Sequence, residues 1–249
     1  AKDGIHPTAA GYKNLISNAL GSISVSKVVG SSGGTSAAAK DLPTFAGGVD
    51  KINRFFNRSP KQVKSLPRAQ REAAVRKYYQ ISGATGRTGL PLEVLVKHIG
   101  AESNYINKDF LGDTNIKQGP SYGLGQILRT TGIWLLKQPG NPQLPAGTNM
   151  VDFLNVASNN LDMTVKQFEW NRRYLSKKSW FQKADESQKN LFLLYSYNMG
   201  PGGPGRYIKR AGGNIDLALK NLNDHYVKKW KMKDGYGHKI VRLAGQSTG

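Results

Sequence analysis

The chain has 249 residues, 38% of them apolar, which suffices for one sizeable domain or two small ones around a buried core. Its 36 lysines and arginines face only 16 acids, a net charge of +20 whose field attracts polyanions. The absence of cysteine excludes a disulfide framework and a thiolate metal site, and no apolar run approaches the roughly eighteen residues of a membrane span.

The sequence begins without Met and without a signal-peptide pattern. Its first block is Asp3-Gly4-Ile5-His6-Pro7-Thr8-Ala9-Ala10-Gly11-Tyr12, followed by a helix through Leu15, Ile16 and Leu20. Asp3 and His6, three positions apart, resemble the last block of the SGNH (GDSL-type) esterases, where such a pair completes a Ser-His-Asp triad. The resemblance implies that residues 1–20 are the C-terminal remnant of an esterase domain, and that the chain is the C-terminal product of a longer polypeptide. A triad needs a nucleophile that its His can deprotonate. The serine motif of that family does not occur here, so no esterase activity is expected. Residues 21–48, with Gly30-Ser31-Ser32-Gly33-Gly34-Thr35-Ser36 and three alanines, read as a small-residue linker that buries little.

From Val49 the patterning is helical. Val49, Ile52 and Phe56 share one helix face. Pro67 opens a charged helix through Tyr79, and Gly83 to Gly89 reads as a loop. Pro91 suits a first helical turn, so the next helix runs to Ala101 or Glu102. Further helices are predicted over Gly123–Leu136, Met150–Leu175, Asp185–Asn198, Ile215–Lys231 and Gly237–Ala244. Prolines 139, 142 and 145 end the first of these, and glycines and prolines at 200–205 break the chain. No alternating strand run appears, although a short hairpin near 105–120 fits the residues there.

Three segments of this helical region bear chemistry. The apolar run Val94-Leu95-Val96-Lys97-His98-Ile99 ends in Glu102-Ser103-Asn104-Tyr105. Ser121-Tyr122-Gly123-Leu124-Gly125-Gln126 follows, and later Tyr195-Ser196-Tyr197-Asn198-Met199-Gly200-Pro201-Gly202. A carboxyl that delivers a proton near neutral pH needs a raised pKa. A hydrophobic setting and the negative end of a helix both push in that direction at Glu102. Glu93, nine residues earlier, lies on the opposite face of the helix and reads as a surface residue.

In this order, and with Tyr226-Val227-Lys228-Lys229-Trp230 as a fourth piece, the segments resemble the catalytic domain of the soluble lytic transglycosylases over roughly residues 85–245. That family cleaves the glycan strands of bacterial peptidoglycan. The resemblance implies a mainly α, lysozyme-like domain of the α+β superfamily over residues 49–249. It implies Glu102 as the single catalytic acid and base, with the C6 hydroxyl of the same N-acetylmuramic acid closing a 1,6-anhydro ring. By the same resemblance Ser121 and Gln126 contact the glycan, Tyr197 lies near the acid, Asn198 bonds the substrate, and Tyr226 helps hold the Glu102 carboxyl. Gly125 stands where the family usually has Met, and Met199 where it has Ala. Residues 200–205 read as a short insertion. Ser121 also reads as the cap of the helix expected from Gly123.

Ordinary glycosidases pair the acid with a second carboxylate. Asp109 and Asp113 are the candidates, so a hydrolytic lysozyme remains an alternative, as does a non-catalytic glycan-binding or structural virion module. The histidines His6, His98, His225 and His238 have no metal-ligand spacing, and no cofactor is expected. The basic residues lack an aromatic platform or nucleic-acid motif. They point to an anionic cell envelope rather than specific nucleic acid, with peptidoglycan glycan strands as substrate and other virion proteins as partners. The expected location is a virion or the extracytoplasmic space, as a phage virion or lysis protein or a secreted bacterial enzyme.

Overall fold

The computed structural model describes residues 48–107, 120–139, 141, 144, 146–231 and 233–245. The expected esterase remnant, nearly all of the linker, and both Asp109 and Asp113 lie outside the described residues. The protein is mainly helical, in line with the expected class. It divides into two compact units: the described residues up to Ser82 together with Ser103–Met163, and Gly83–Glu102 together with Thr164 onward. Among the described residues, no helix is long and apolar enough to cross a membrane.

In the first unit α1 (Gly48–Phe56) packs on α3 (Arg68–Ile81). Ile52 and Phe56 of α1 are fully buried, as the spacing predicts, and Phe55 joins them. The intervening α2 (Pro60–Ser65) starts at a capping box in which Ser59 and Gln62 satisfy each other's backbone N–H. α6 (Arg129–Leu136) and α7 (Met150–Asn155) pack together beside a two-residue hairpin, β1 (Ser121–Tyr122) and β2 (Ile127–Leu128). The register pairs Ser121 with Leu128 and Tyr122 with Ile127. A helix was expected from Gly123. Instead Gly123–Gln126 form the hairpin turn, and the helix starts at Arg129.

The long helix expected over Met150–Leu175 is two. Val156 is extended (φ −80°, ψ 120°) and separates α7 from α8 (Ala157–Leu175). The break is fixed by a distant side chain, since Asn53 Oδ1 accepts the Ser158 N–H at 2.9 Å, a donor that a continuous helix would direct to its own carbonyl.

In the second unit the expected glycine loop contains a short helix, α4 (Ala84–Thr88), closed by Gly89 in the left-handed region (φ 74°). At that φ any side chain would be strained, and a Cβ would also displace the Arg172 guanidinium, so glycine suits the position. α5 (Leu92–Ser103) begins after Pro91, whose carbonyl accepts from Leu95 N at 3.1 Å. After the short α9 (Ser179–Lys183), α10 (Glu186–Met199) is the hub, contacting α11 (Gly203–Arg210), α12 (Ile215–Trp230) and α13 (Tyr236–Leu243). Asp185 starts α10 through a capping box with Gln188. Within residues 200–205, α11 begins at Gly203 with Pro204 in its first turn. Gly203 leaves the room that the Met199 side chain fills.

Candidate active site

Val94, Leu95, Val96 and Ile99 are fully buried, so α5 is a core helix whose polar side chains are drawn inside with it. Glu102 and His98 lie four residues apart on one face of α5. The Glu102 side chain is 14% exposed and that of His98 is wholly buried. Glu102 occupies the last turn, where the negative end of the helix dipole opposes a carboxylate.

Two groups converge on Glu102 Oε1. The Tyr236 hydroxyl, from the first turn of α13, donates to it. His98 Nε2 stands 3.6 Å away. Burial pushes the His98 pKa down to about 3, so the imidazole is neutral at physiological pH and the contact is not an ion pair. Burial, and then the nearby Glu102 charge, hold the Tyr236 hydroxyl well above the ordinary tyrosine range. Tyr236 therefore remains a protonated donor, and both of these partners of Glu102 are uncharged. Three rings enclose His98: Tyr197 at 4.3 Å, Phe168 at 4.9 Å and Tyr236 at 6.3 Å between centroids.

Tyr236 is placed by what precedes it. Gly235 N donates to Asn223 Oδ1 of α12 at 2.7 Å, and a side chain at 235 would stand 2.8 Å from the Tyr195 hydroxyl. The Tyr195 hydroxyl is also 2.8 Å from His238 Nδ1, which ties α10 to α13.

The expected site residues divide between the units. Tyr197 is buried beside His98, its ring stacked on Phe168 at 4.8 Å, its carbonyl accepting from Gln167 Nε2 at 3.0 Å. Asn198 is exposed on the last turn of α10, and its Oδ1 accepts the Tyr226 hydroxyl at 2.8 Å. Of the tyrosines near the carboxyl, Tyr226 donates its hydroxyl proton to Asn198 and Tyr236 donates to Glu102. Tyr226 stays close behind, its ring 6.1 Å from that of Tyr236, and burial raises its pKa, with Tyr207 and Glu102 contributing.

Ser121 and Gln126 belong to the first unit. Ser121 caps no helix: its hydroxyl donates to Gln126 Oε1 at 2.8 Å, and Gln126 Nε2 donates to the Gly123 carbonyl at 2.7 Å. Gln126 is held in the left-handed region (φ 51°), unusual for a non-glycine residue. Asn160 pins the turn from α8, accepting from Gly125 N at 2.7 Å and donating to the carbonyls of Tyr122 and Leu154 at 2.8 and 2.9 Å. Gly123 has φ 73°, and a Cβ on it would collide with the Asn160 amide. Its glycine is thus required by the protein's own packing, whatever binds beside it.

Tyr236 is not among the residues expected from the sequence, and His98 enters there only for its lack of metal-ligand spacing. The spacing of four between His98 and Glu102 was a usable signal. Nothing local marks Tyr236. Among the described residues, no group of three or more His, Asp or Glu side chains is arranged to hold a metal ion. The site is an enclosed carboxyl faced by neutral aromatic groups, an arrangement suited to holding and releasing a proton. No family model, curated protein or solved structure matches this chain.

Proposed function

We propose that the protein is a peptidoglycan lytic transglycosylase that cleaves the β-1,4 bond between N-acetylmuramic acid and N-acetylglucosamine, with Glu102 as its single acid and base. The observation that carries the reading is Glu102 itself: a carboxyl largely shielded from water, at a helix C-terminus, with uncharged Tyr236 and His98 at its Oε1. Burial and the helix C-terminus both disfavour the carboxylate, while the Tyr236 hydroxyl supports it once formed, so the carboxyl is equipped for both stages.

In this mechanism the Glu102 carboxyl gives its proton to the glycosidic oxygen as the bond from C1 of N-acetylmuramic acid breaks. Positive charge develops at C1 and its ring oxygen. The Glu102 carboxylate then takes the proton of the C6 hydroxyl as O6 bonds to C1. The 1,6-anhydro ring closes, Glu102 is again protonated, and no water is consumed. The Tyr236 hydroxyl steadies the carboxylate stage by its hydrogen bond. Asn198, exposed and oriented by Tyr226, offers its amide N–H₂ to a sugar hydroxyl or N-acetyl group. Ser121 and Gln126 are proposed as further glycan contacts on the hairpin. The +20 charge suits an enzyme that works on an anionic envelope, in a virion or outside the cytoplasm.

Mass spectrometry of muropeptides after digestion of purified sacculi tests the reading. Anhydromuramic ends are expected. Reducing ends, with Asp109 or Asp113 essential, indicate a hydrolytic lysozyme, and absence of any cleavage indicates a glycan-binding or structural module.

A further inference from the structure

We infer that His98 is the positioning residue of this site, its Nε2 edge fixing the orientation of the Glu102 carboxyl between itself and Tyr236. The inference rests on the reading of Glu102 as the acid, and it begins from an anomaly. His98 is fully buried, yet neither ring nitrogen has a hydrogen-bond partner. Leaving a polar group in that state costs roughly 1–3 kcal/mol. A phenylalanine would fill the same aromatic box without that cost, so packing alone gives no reason for a histidine.

Geometry supplies one. Nε2 stands 3.6 Å from Glu102 Oε1, a few tenths of an ångström beyond hydrogen-bond range, with both residues on rigid helix backbone one turn apart. The other faces of the ring meet Tyr197 from α10, Phe168 from α8 and Tyr236 from α13. Among the described residues, the titratable groups facing the imidazole are Tyr197, Tyr236 and Glu102. A small rotation of Glu102 on substrate binding closes the gap, and His98 is then the second fixed contact of a carboxyl that must face first an oxygen and then a hydroxyl. Being uncharged, the imidazole suits both stages. Its Nε2–H donates to the carboxylate, or its bare Nε2 accepts from the carboxylic acid. A charged side chain here would hold one stage only.

The test uses the full chain with soluble, uncross-linked glycan strands, and compares His98→Phe, His98→Gln and His98→Asn with Glu102→Gln. The Gln amide reaches the place of Nε2, and the Asn amide only that of Nδ1. His98→Phe is expected to lower kcat roughly 10- to 100-fold, the size of effect that follows a slight misplacement of a reacting group, with KM within about twofold. His98→Gln is expected to recover much of that loss and His98→Asn little. A His98→Phe enzyme with parental kcat overturns the inference, as does equal activity of the Gln and Asn variants. Nitrogen-15 NMR of the parent supplies a readout that needs neither activity nor a His98 variant. Glu102→Gln should move the His98 Nε2 resonance more than that of Nδ1, and an unmoved Nε2 overturns the contact. The two readings fail separately: an active Glu102→Gln enzyme sinks the proposed function, whereas an inactive one beside a parental His98→Phe sinks only the role of His98.

Discussion

The carboxyl of the second unit and the hairpin of the first are held by opposite means. Around Glu102 the positions are set by ring packing: His98, Phe168, Tyr197, Tyr226 and Tyr236 fill the space, and few of their polar atoms bond one another. Around Gln126 they are set by amides, with Asn160 bonding Gly125 of the turn, Tyr122 of β1 and Leu154 of α7, and Gln126 tied at both ends of its side chain. The first arrangement surrounds a carboxyl with aromatic rings. The second holds main chain in a conformation that it would not adopt unaided. Chemistry should be sensitive to change in the first and fold stability to change in the second.

The sharpest break of that comparison is Glu102→Gln. It removes the transferable proton while keeping size and polarity, so activity is expected to fall by about three orders of magnitude or more with a parental melting curve. Activity within tenfold of the parent contradicts the assignment. Next is protonation of His98, whose folded pKa of about 3 lies below the ordinary value of 6.5. The unfolded chain therefore binds the proton first, and stability is lost as pH falls from about 6.5 toward 3, by about 5 kcal/mol in all. Denaturant titrations of parent and His98→Phe across that range should diverge by this amount, the parent falling more steeply. Parallel curves would mean that His98 is charged or accessible.

Asn160→Ala tests the other region. It removes the Asn160 acceptor of the Gly125 N–H and its donor to two carbonyls, and is expected to cost about 2–4 kcal/mol in a denaturant titration. A cost below 1 kcal/mol would mean that the turn holds itself. Tyr236→Phe is the smaller change at the carboxyl: loss of one donor to a charged group should reduce kcat about 10- to 100-fold and leave stability nearly parental. Tyr226→Phe frees Asn198 and should act mainly on KM, so an equal loss of kcat in both variants would blur the distinction drawn between these tyrosines.

Much of this was legible in the sequence where the signal is local. α5 follows its apolar run and Pro91, α10 starts at the Asp185 expected of it, and Tyr197 and Asn198 come with the same helix. What escaped depends on distant partners. The break at Val156 carries no glycine or proline, and Asn53, a hundred residues earlier, fixes it. Two-residue strands leave no alternating pattern, so Gly123–Gln126 read as the start of a helix. Tyr236 reaches Glu102 across 134 positions through the packing of α13 on α10, which no spacing rule records.

The central claim is that one carboxyl serves both steps without water or a second acid. Digestion of sacculi in ¹⁸O-enriched water tests it most directly, with Asp109→Asn and Asp113→Asn proteins run alongside the parent. The account predicts that new muramic ends carry no ¹⁸O, are 1,6-anhydro, and form at near-parental rates in both variants. Incorporation of ¹⁸O at C1, abolished by either substitution, would contradict it.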